Sequence, residues 1–446
     1  MRLAYDRGTV VAKDASITPT PHFRWDPRTE EFRALACKYR EIVEYLRAKG
    51  VEFEDLVMDP VEGELKVVKR PSLRPYQKEA LKAWLERKRG IVVLPTGAGK
   101  TRVALAAIAE LKCPTLVVVP TLELMDQWER RIARYFSTDI GRFGGGDREI
   151  GFVTVATYDS AYLNAEFLGN KFLFVVFDEV HHLPSTGYRQ IAELLAAPYR
   201  LGLTATPERE DGAHALLPEL VGPIVYEKRV RELTGRYLAD FDVVTIRVRL
   251  REDERERYRR ALELYRKYSK KAGIRIRSLE DFQRLIARSG LNKYAREAIL
   301  AWREARKISM NAERKIEALK EILEKHRGDR VLIFAESNEV VRRISLELLI
   351  PEISYKTSEA ERKAVLEAFR EGKVNAIVTS RVLEEGIDVP DANVAVVLSG
   401  TASRRQFIQR LGRVLRPKNG KRAVLYEIVT SGTREVEISR KRRRGV

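Results

Sequence analysis

The chain has little cysteine, no long apolar run and no leader-like beginning. Its two cysteines, Cys37 and Cys113, stand among apolar or aromatic neighbours and lack the spacing of metal ligands. We therefore expect neither a disulfide framework nor a zinc site, and a reducing compartment. No apolar run approaches the ~18 residues of a membrane-spanning helix, and the first residues lack the apolar stretch of a signal peptide. These absences predict a soluble, cytoplasmic protein.

The chain has fewer acidic than basic residues. Lys and Arg total 83 against 64 Asp and Glu, which gives a formal net charge of +19. A charged fraction of 33% also fits the ion-pair networks of a thermophilic surface. The excess of one sign nevertheless favours a polyanion as partner. Because 44% of the residues are hydrophobic, the 446 residues can bury a substantial core, and the length fits roughly two to four domains.

The pattern along the chain divides into five predicted segments. Short strands rich in Val, Ile and Leu alternate with helices in two long stretches, which is typical of parallel sheets covered by helices. A helical stretch interrupts the second of these, and a short mixed segment precedes the first. The predicted segments are 1–70, a small α+β N-terminal domain; 71–235, a first α/β domain; 236–250 with 311–434, a second α/β domain; 251–310, a helical basic insertion; and 435–446, a basic tail.

Three local features give these segments detail. A hairpin is predicted around Asp6-Arg7-Gly8, followed by a helical pattern that opens at 29–31. The insertion 251–310 carries 18 Lys or Arg against 9 Asp or Glu, with aromatic residues interleaved. A solvated helical surface or a small helical core would explain this composition, and a nucleic-acid grip would explain it too. The end of the chain, SRKRRRGV, predicts a disordered basic tail.

A phosphate-binding loop is predicted at LPTGAGKT, residues 94–101, between an apolar strand and a helix. Gly97 and Gly99 would let the backbone fold around phosphate oxygens. Lys100 would reach the β- and γ-phosphates, and Thr101 would hold Mg²⁺ through its hydroxyl. Leu94 replaces the first glycine of the usual motif, so a glycine-rich turn with a chance Lys-Thr is the alternative.

Two carboxylates end the apolar strand in FLFVVFDEVHH. Since burying unpaired charge is costly, we do not expect them in the core. Asp178 is the predicted Mg²⁺ partner of Thr101, and Glu179 would orient or deprotonate the attacking water; a solvated pair at a strand end is the alternative. His181 is the predicted hydrogen-bond link to a neighbouring segment. Metal binding by His181 and His182 is disfavoured, because adjacent histidines on an extended segment point to opposite sides.

A second cluster of functional residues is predicted in QFIQRLGRVLRP, residues 406–417. Positions 409, 412, 413 and 416 share one face of a helix. Two arginines aimed across a cleft would stabilise the charge that develops on a transferring phosphoryl group. An exposed basic helix is the alternative, and Gly412 weakens it because glycine destabilises helices.

The ordered motifs resemble those of the superfamily 2 helicases and translocases over about residues 73–430. These motifs are LRPYQ, LPTGAGKT, PTLELMDQW, ATYDS, DEVHH, LTATP, LIFAES, VTSRVLEEGIDVP and QRLGRVLRP. Within the superfamily the chain resembles the archaeal form of the xeroderma pigmentosum group B (XPB) DNA helicases. The triplet Arg209-Glu210-Asp211 (the RED triplet), the phrase SRRQFIQRLGRVLRP and the basic insertion, which is similar to the family's thumb, carry this resemblance. Residues 1–70 resemble the family's damage-recognition-like domain.

The resemblance implies a fold and a set of site residues. The fold has two RecA-like domains, a small α+β N-terminal domain and a helical thumb. The implied ATP-binding residues are Arg74, Gln77, Thr96, Gly97, Ala98, Gly99, Lys100, Thr101 and Asp388. The implied catalytic residues are Lys100, Asp178, Glu179, Gln409, Arg413 and Arg416, with the two arginines as fingers. His181, Thr204 and Thr206 would couple hydrolysis to domain movement, and the RED triplet would serve strand separation.

Predicted DNA contacts lie on both α/β domains and on the thumb. The resemblance implies contacts to the DNA backbone by Pro120, Thr121, Thr157, Ser337, Thr379 and Ser380. Such contacts are largely independent of base sequence. On the insertion, the charge pattern itself adds Arg266, Lys267, Lys270 and Lys271.

The function implied by the resemblance is that of an ATP- and Mg²⁺-dependent DNA helicase or translocase that moves 3′ to 5′ and opens duplex DNA in nucleotide excision repair. The implied partners are forked or damaged duplex, single strands and, as in archaeal members, a nuclease. We expect a nucleoid-associated monomer. The alternatives are a damaged-DNA-binding ATP switch, a double-strand translocase with little processive unwinding, and an RNA helicase of the same superfamily. The RED triplet and the thumb favour DNA over RNA.

Overall fold

The computed structural model describes residues 1–14, 20–209, 211–233, 241–273, 279–380, 392–398 and 423–443. They form two compact units, the first within residues 1–233 and the second from residue 241 onward. Each unit has its own sheets and core. Within these ranges, no helix combines the length and the apolar character that a membrane crossing requires.

The N-terminal domain is built on a five-stranded sheet of order β3-β4-β2-β1-β5. Its strands are β1 (Arg2–Asp6), β2 (Thr9–Lys13), β3 (Arg24–Asp26), β4 (Glu31–Leu35) and β5 (Glu54–Leu56). The predicted hairpin is confirmed, with β1 and β2 antiparallel. It turns at Arg7 and Gly8, whose φ angles are 43° and 85°.

The helical pattern predicted to open at 29–31 is wrong for its first part. Residues Glu31–Leu35 form strand β4, a short 3₁₀ turn follows, and helix α1 (Tyr39–Ala48) begins only there. Strand β4 pairs with β2 on one side and with β3 on the other. Sheet hydrogen bonds on both sides outweigh a helical spacing of apolar residues, because strand preference depends on tertiary context.

The first α/β domain is an eight-stranded sheet of order β11-β10-β12-β8-β13-β14-β7-β15. Its strands are β7 (Arg89–Val93), β8 (Thr115–Val119), β10 (Ile140–Gly144), β11 (Asp147–Arg148), β12 (Val153–Thr157), β13 (Phe174–Asp178), β14 (Tyr199–Thr204) and β15 (Ile224–Glu227). All neighbours are parallel except β10 and β11. Every residue of β8 and β13 is buried, because helices cover both faces.

The helices of this unit and a small ribbon complete it. The helices are α2 (Pro75–Arg87), α3 (Lys100–Leu111), α4 (Leu122–Tyr135), α5 (Tyr158–Leu163), α6 (Ala165–Leu168), α7 (Arg189–Leu194), α8 (Leu217–Leu220) and α9 (Val230–Leu233). Strands β6 (Lys66–Val67) and β9 (Phe136–Ser137) pair antiparallel. This ribbon ties the segment before α2 to the end of α4.

The N-terminal domain packs on the first α/β domain. The Tyr5 hydroxyl lies 2.8 Å from the carbonyl of Glu166 and 3.1 Å from that of Leu194. Arg89 at the start of β7 donates to Glu41 of α1 at 3.3 Å. Burial raises the pKa of the Tyr5 hydroxyl well above its usual value. The tyrosine therefore stays protonated and works as a hydrogen-bond donor across this boundary.

The second unit holds a six-stranded parallel sheet of order β16-β21-β20-β17-β19-β18. Its strands are β16 (Phe241–Val248), β17 (Val331–Phe334), β18 (Glu352–Ile353), β19 (Ala376–Thr379), β20 (Val394–Val397) and β21 (Ala423–Thr430). Its helices are α10 (Glu252–Lys271), α11 (Leu279–Arg288), α12 (Lys293–Met310), α13 (Glu313–Lys325), α14 (Asn338–Leu348) and α15 (Glu359–Glu371). The predicted fold class, two parallel α/β sheets with a small α+β domain and a helical insertion, is confirmed.

The end of the chain is more ordered than predicted. Helix α16 spans Glu435–Arg443, so a disordered tail is wrong for these residues. Glu435 accepts a 2.6 Å hydrogen bond from Lys315 Nζ of α13, and both side chains are almost completely buried. Ser439 donates to Glu427 of β21 at 2.7 Å. Basic composition predicted solvation, but two polar residues of the same segment anchor it to the core.

Candidate nucleotide and nucleic-acid site

The predicted site residues of the first unit converge at one edge of its sheet. Parallel strands place their carboxyl ends at the same edge, where α/β folds bind ligands. The register aligns Asp178 with Leu203 and Thr204 with Val93. In sheet order these site segments are Thr157 at the end of β12, Pro120-Thr121 after β8, Asp178-Glu179 at the end of β13, Thr204 at the end of β14 and residues 94–101 after β7.

The predicted phosphate loop is a tight turn into helix α3. Gly97 and Gly99 take φ angles of 84° and 78°, in the left-handed region that favours glycine. Lys100 Nζ lies 3.4 Å from the carbonyl of Leu94 and 3.8 Å from Glu179 Oε1. The buried ammonium therefore points across the loop toward the end of β13. Residue 94 contributes its backbone carbonyl to this contact, so a leucine at that position is compatible with the loop.

Helix α2 holds the loop from the other side. Gln77 is buried, and its Nε2 donates to the carbonyl of Ala98 at 2.7 Å. Its Oε1 accepts from the backbone N–H of Arg74 at 2.8 Å. The Tyr76 hydroxyl also donates to Ala98, at 2.8 Å. In this conformation Gln77 links α2 to the loop. Its contact with adenine, which the family resemblance implies, stays a prediction, and so does ATP binding by Arg74.

Asp178 is buried, contrary to expectation, and each of its side-chain oxygens accepts a hydrogen bond. Its Oδ2 accepts from the indole Nε1 of Trp128 at 2.8 Å, and its Oδ1 accepts from the backbone N–H of Glu179 at 3.0 Å. These bonds remove the cost that made a buried carboxylate unfavourable. Glu179 has a φ of 48°, an uncommon value outside glycine, and the chain passes there into a 3₁₀ turn over Val180–His182.

These residues fit a nucleoside triphosphate with Mg²⁺. Helix α3 starts at Lys100 without a side-chain cap, so its first N–H groups can serve phosphate oxygens. The Thr96 hydroxyl is buried and has no hydrogen-bond partner in the described part of the chain. Mg²⁺ needs one or two protein oxygens beside phosphates and waters, which Thr101 and Asp178 could supply. Within the described ranges, no group of three His, Cys, Asp or Glu forms a metal cage.

The two histidines of DEVHH lie in a 3₁₀ turn and not on an extended segment. Their rings are 4.4 Å apart and inclined by 38°, so the expectation that they point to opposite sides is wrong. His181 is fully buried, and its Nδ1 lies 3.0 Å from Thr204 Oγ1. The Thr204 hydroxyl in turn lies 2.9 Å from the carbonyl of Thr206. The contacts predicted from DEVHH to LTATP are present, while their coupling role stays a prediction.

The described members of the RED triplet extend this chain of contacts. Arg209 donates to the carbonyl of His181 at 2.8 Å and to both carboxylate oxygens of Asp211, at 3.0 and 2.6 Å. The guanidinium holds the pKa of Asp211 well below its usual range. Arg209 thus joins the triplet to the segment that follows Asp178 and Glu179. Glu210 lies outside the described residues.

The hydroxyl residues predicted to contact DNA cap helices at the sheet edges. Thr121 accepts from the Leu124 N–H at the start of α4, and Thr157 and Ser337 do the same for α5 and α14. Pro120 immediately precedes this cap. Helix starts present N–H groups to phosphates without reading base sequence. The caps therefore suit backbone contacts through their N–H groups.

Thr379 and Ser380 end β19, beside β17 and its following Ser337. The Thr379 side chain is fully buried, and its hydroxyl lies 3.0 Å from the carbonyl of Ile353. A phosphate contact by that hydroxyl does not fit this conformation, so the backbone of the segment is what it can offer to DNA. Ser380 is also buried.

The basic residues predicted on the insertion cluster on one end of α10. Arg266, Lys267, Lys270 and Lys271 are all exposed, and none of them forms an ion pair with another described residue. The Nζ of Lys271 lies 5.3 Å from the ring centre of Tyr294 on α12. The upstream part of α10 differs, because Arg257 there pairs with Glu304 at 2.9 Å. Free positive charge is concentrated near the end of α10.

Five predicted residues lie outside the described ranges: Glu210, Asp388, Gln409, Arg413 and Arg416. Trp128 and Arg131 contact the site but were not predicted. Trp128 donates to Asp178, and Arg131 Nη1 donates to Thr101 Oγ1 at 2.9 Å. The motif PTLELMDQW contains Trp128. The signal that could have identified it is an aromatic side chain with a hydrogen-bond donor, in a helix next to a predicted phosphate loop. Nothing in the sequence marked Arg131 among so many arginines.

Comparison with known proteins places the whole chain. It is 47% identical over 441 residues to the DNA 3′-5′ translocase XPB2 of Sulfurisphaera tokodaii, covering 99% of both chains. The chain belongs to the XPB helicase family. The DNA 3′-5′ helicase XPB of Mycobacterium tuberculosis is 32% identical over 83% of this chain, which spans 63% of that longer relative.

Family models agree with the XPB assignment, and a solved structure has a similar fold. Residues 3–57 match the XPB damage recognition domain, and residues 291–446 match the ERCC3/RAD25/XPB C-terminal helicase. Residues 70–209 match the res subunit of type III restriction enzymes, a range that contains every strand of the eight-stranded sheet except β15. The helicase domain of Pyrococcus furiosus Hef superposes with a TM-score of 0.54 at 20% identity, over 85% of this chain and all of that one. The last similarity concerns the fold.

Proposed function

We propose that this XPB-family chain is an ATP-dependent DNA translocase and helicase that moves 3′ to 5′ and opens duplex DNA during repair. The observation that supports the proposal is the arrangement of residues at one edge of the eight-stranded sheet. There the phosphate loop, the Asp178-Glu179 pair and the His181–Thr204 contact adjoin residues predicted to touch DNA. The residues proposed to act in ATP hydrolysis and those proposed to contact a DNA strand therefore lie at the edge of one sheet.

Each group has a definite part in hydrolysis. Lys100 would hold the terminal phosphates, and Thr101 and Asp178 would hold Mg²⁺, which would neutralise charge at the transferring phosphoryl group. Glu179 orients the attacking water and takes its proton. His181 and Thr204 transmit conformational changes at this edge of the sheet to the RED triplet. The hydrogen bonds that connect them are the one between His181 and Thr204 and the one from Arg209 to the His181 carbonyl. For Arg413 and Arg416, which lie outside the described residues, we keep the role of arginine fingers as a proposal.

Replacement of Lys100 by Ala tests the assignment. It should reduce DNA-stimulated ATP turnover by at least about a hundredfold, since it removes a charge-assisted contact made to the transferring phosphates. Lys112, which lies beyond the end of α3, serves as the control position for loss of a lysine. ATP turnover by Lys100→Ala at the rate of Lys112→Ala would refute the assignment.

Three alternative functions are tested by the choice of substrate. Strand displacement is measured on forked DNA, on the same fork with a lesion, and on a matched RNA duplex. ATP turnover stimulated by intact duplex without displacement would favour a double-strand translocase or an ATP switch that binds damaged DNA. Displacement of the RNA duplex alone would favour an RNA helicase. We expect displacement of the DNA fork.

We also propose that the protein works as a nucleoid-associated monomer and, in repair, with a nuclease. The support is the net charge of +19, which attracts DNA from solution. Light scattering of the free protein gives the mass directly, and a monomer of 51.2 kDa is expected. A nuclease partner should convert opened forks into cleaved products only when ATP is present.

A further inference from the structure

One helix contacts both residues that are proposed to hold Mg²⁺. Trp128 and Arg131 lie three residues apart on α4 and so share a face. The Trp128 indole donates to Asp178 Oδ2 at 2.8 Å, and the Arg131 guanidinium donates to Thr101 Oγ1 at 2.9 Å. Trp128 is fully buried. Two side chains of α4 therefore contact both of the protein oxygens that are proposed to bind Mg²⁺.

The two contacts have opposite consequences for a cation. A carboxylate oxygen has two lone pairs, so Asp178 Oδ2 can accept from the indole and still face Mg²⁺. The indole then fixes the orientation of the ligand, as outer-shell partners of metal ligands do. Arg131 instead occupies a lone pair of the Thr101 hydroxyl with a positive group. A guanidinium and Mg²⁺ on one hydroxyl would repel each other, so the arginine must withdraw when the cation binds.

The same helix begins at a predicted DNA contact. Thr121 caps α4, and Pro120 precedes it. Ten residues separate Thr121 from Arg131, which corresponds to about 15 Å along a helix. A 14-residue helix without internal proline or glycine moves as a rigid body over that distance. A shift or rotation imposed on its start by a DNA backbone therefore also displaces Trp128 and Arg131.

We propose that α4 couples DNA binding to Mg²⁺ placement. In this proposal Trp128 is a positioning residue for Asp178, and Arg131 is a gate that leaves Thr101 when DNA engages the start of the helix. The inference rests on the proposed function and adds to it a route from the strand to the cation. It predicts that DNA lowers the Mg²⁺ concentration needed for half-maximal nucleotide binding.

The Trp128→Phe variant tests the positioning role. Phenylalanine keeps the buried ring but loses the N–H, and binding of a fluorescent ATP analogue is titrated with Mg²⁺ and repeated in chelator. We expect the half-saturating Mg²⁺ concentration to rise about tenfold, with binding in chelator unchanged. Trp84→Phe is the matched control, because Trp84 is equally buried and donates to the Arg200 carbonyl on the sheet. Equal behaviour of the two variants, or equal losses with and without Mg²⁺, would overturn this role.

The Arg131→Ala variant tests the gate. It should lower the half-saturating Mg²⁺ concentration about threefold to tenfold without DNA, and the further effect of DNA should vanish. Arg130→Ala is the control, since the exposed Arg130 donates to the carbonyl of Asp126 within α4. The gate is refuted if DNA leaves the Mg²⁺ dependence of the unmodified protein unchanged, or if Arg131→Ala weakens nucleotide binding in chelator.

These experiments remain informative if a variant is unstable. Arg131 is only partly buried, so its substitution carries the test alone should Trp128→Phe fail to fold. They also separate this inference from the proposed function. Absence of any Mg²⁺-dependent nucleotide binding in the unmodified protein would count against the ATPase itself, whereas normal binding that ignores Trp128, Arg131 and DNA would count only against α4 as the coupling element.

Discussion

At the scale of single residues, Lys315 and Glu435 show how far one buried contact reaches. The lysine is fully buried on α13, and it donates to Glu435 at 2.6 Å and to the carbonyl of Leu398 at 2.7 Å. Glu435 also accepts from the backbone N–H of Thr430 at 2.9 Å. A buried ion pair contributes little by itself, but removing one partner leaves a charge without compensation. The stability of the second unit therefore depends on α16, which supplies the partner of the buried Lys315.

Replacing Glu435 by Ala should destabilise the second unit by about 3 kcal/mol, the usual range for a broken buried pair. Hydrogen exchange of β21 and α13, followed by mass spectrometry, measures the loss locally. The double variant Lys315→Met with Glu435→Leu removes both charges and should recover most of the protection. Protection of β21 that is unchanged in Glu435→Ala would contradict this account.

The RED triplet is a second residue-scale case. Replacing Arg209, Glu210 and Asp211 by alanines should impair strand separation more than ATP hydrolysis, because the triplet lies beyond the residues proposed to bind nucleotide. The ratio of strands displaced to ATP consumed measures this, and we expect it to fall at least about tenfold. Asp211→Asn is the companion variant, since it weakens the Arg209 pair and leaves the bond to the His181 carbonyl. Equal loss of both activities would mean that the triplet only supports the ATP site.

The sequence predicts site residues well where a motif follows a strand, and poorly where a contact joins distant segments. The phosphate loop and Asp178 were identifiable because apolar strands end immediately before them. The bond from Trp128 to Asp178 joins positions 50 residues apart, and Lys315 lies 120 residues from Glu435. No local spacing encodes such pairs, since they depend on how helices lie against sheets.

At the scale of elements, the N-terminal domain depends on close contact with α6 and the turn that follows it. Gly169 allows Tyr5 to approach so closely that a Cβ at that position would lie 1.6 Å from the Tyr5 hydroxyl. The backbone carbonyl of Leu194 would be 2.7 Å away. Side-chain movement alone therefore cannot make room for alanine, and the boundary between the domains would have to open.

Gly169→Ala should destabilise this boundary by about 1–3 kcal/mol, the usual cost of overpacking. Limited proteolysis near residues 57–72 would detect release of the N-terminal domain. Gly187→Ala is the control, because a Cβ there would lie 3.6 Å from the Tyr162 ring, an ordinary contact. The same cleavage rate for both variants would argue against a tight boundary at Tyr5.

Two elements were misjudged from sequence for one reason. Helical spacing of apolar residues predicted a helix over Glu31–Leu35, and basic composition predicted a tail over Glu435–Arg443. In both cases partners remote in sequence decide the conformation, two flanking strands for the first and a buried lysine for the second. The parallel sheets were predictable because strands buried on both faces are apolar throughout.

At the scale of the whole molecule, the charge of +19 makes DNA binding a salt-dependent property. Many of the cations are already paired with acids, as Arg257 is with Glu304. The set Arg266, Lys267, Lys270 and Lys271 is exposed and forms no ion pair in the described part of the chain. We infer that this set supplies a disproportionate share of the phosphate contacts.

Reversing these four charges to Glu should weaken DNA binding and flatten its dependence on salt. Each phosphate contact that is lost lowers the slope of log K against log salt by about 1, so a decrease of up to about 4 is expected. Fluorescence anisotropy across a salt series gives the slope. Reversal of Arg255, Arg257 and Arg259, which already pair with acids, is the control and should change it less. A slope that is the same in all variants would remove the thumb from the DNA interface.

The position of β16 at the edge of the second sheet has a consequence for the order of events during synthesis. Its partner β21 aligns Phe241 with Ala423, so translation must proceed roughly 180 residues further before the strand can pair. At about 5–20 residues per second this takes about ten to forty seconds. By then the first unit has long left the ribosome and can fold, phosphate loop included. A ribosome that stalls in this interval holds a chain that has the proposed phosphate loop but lacks the second parallel sheet.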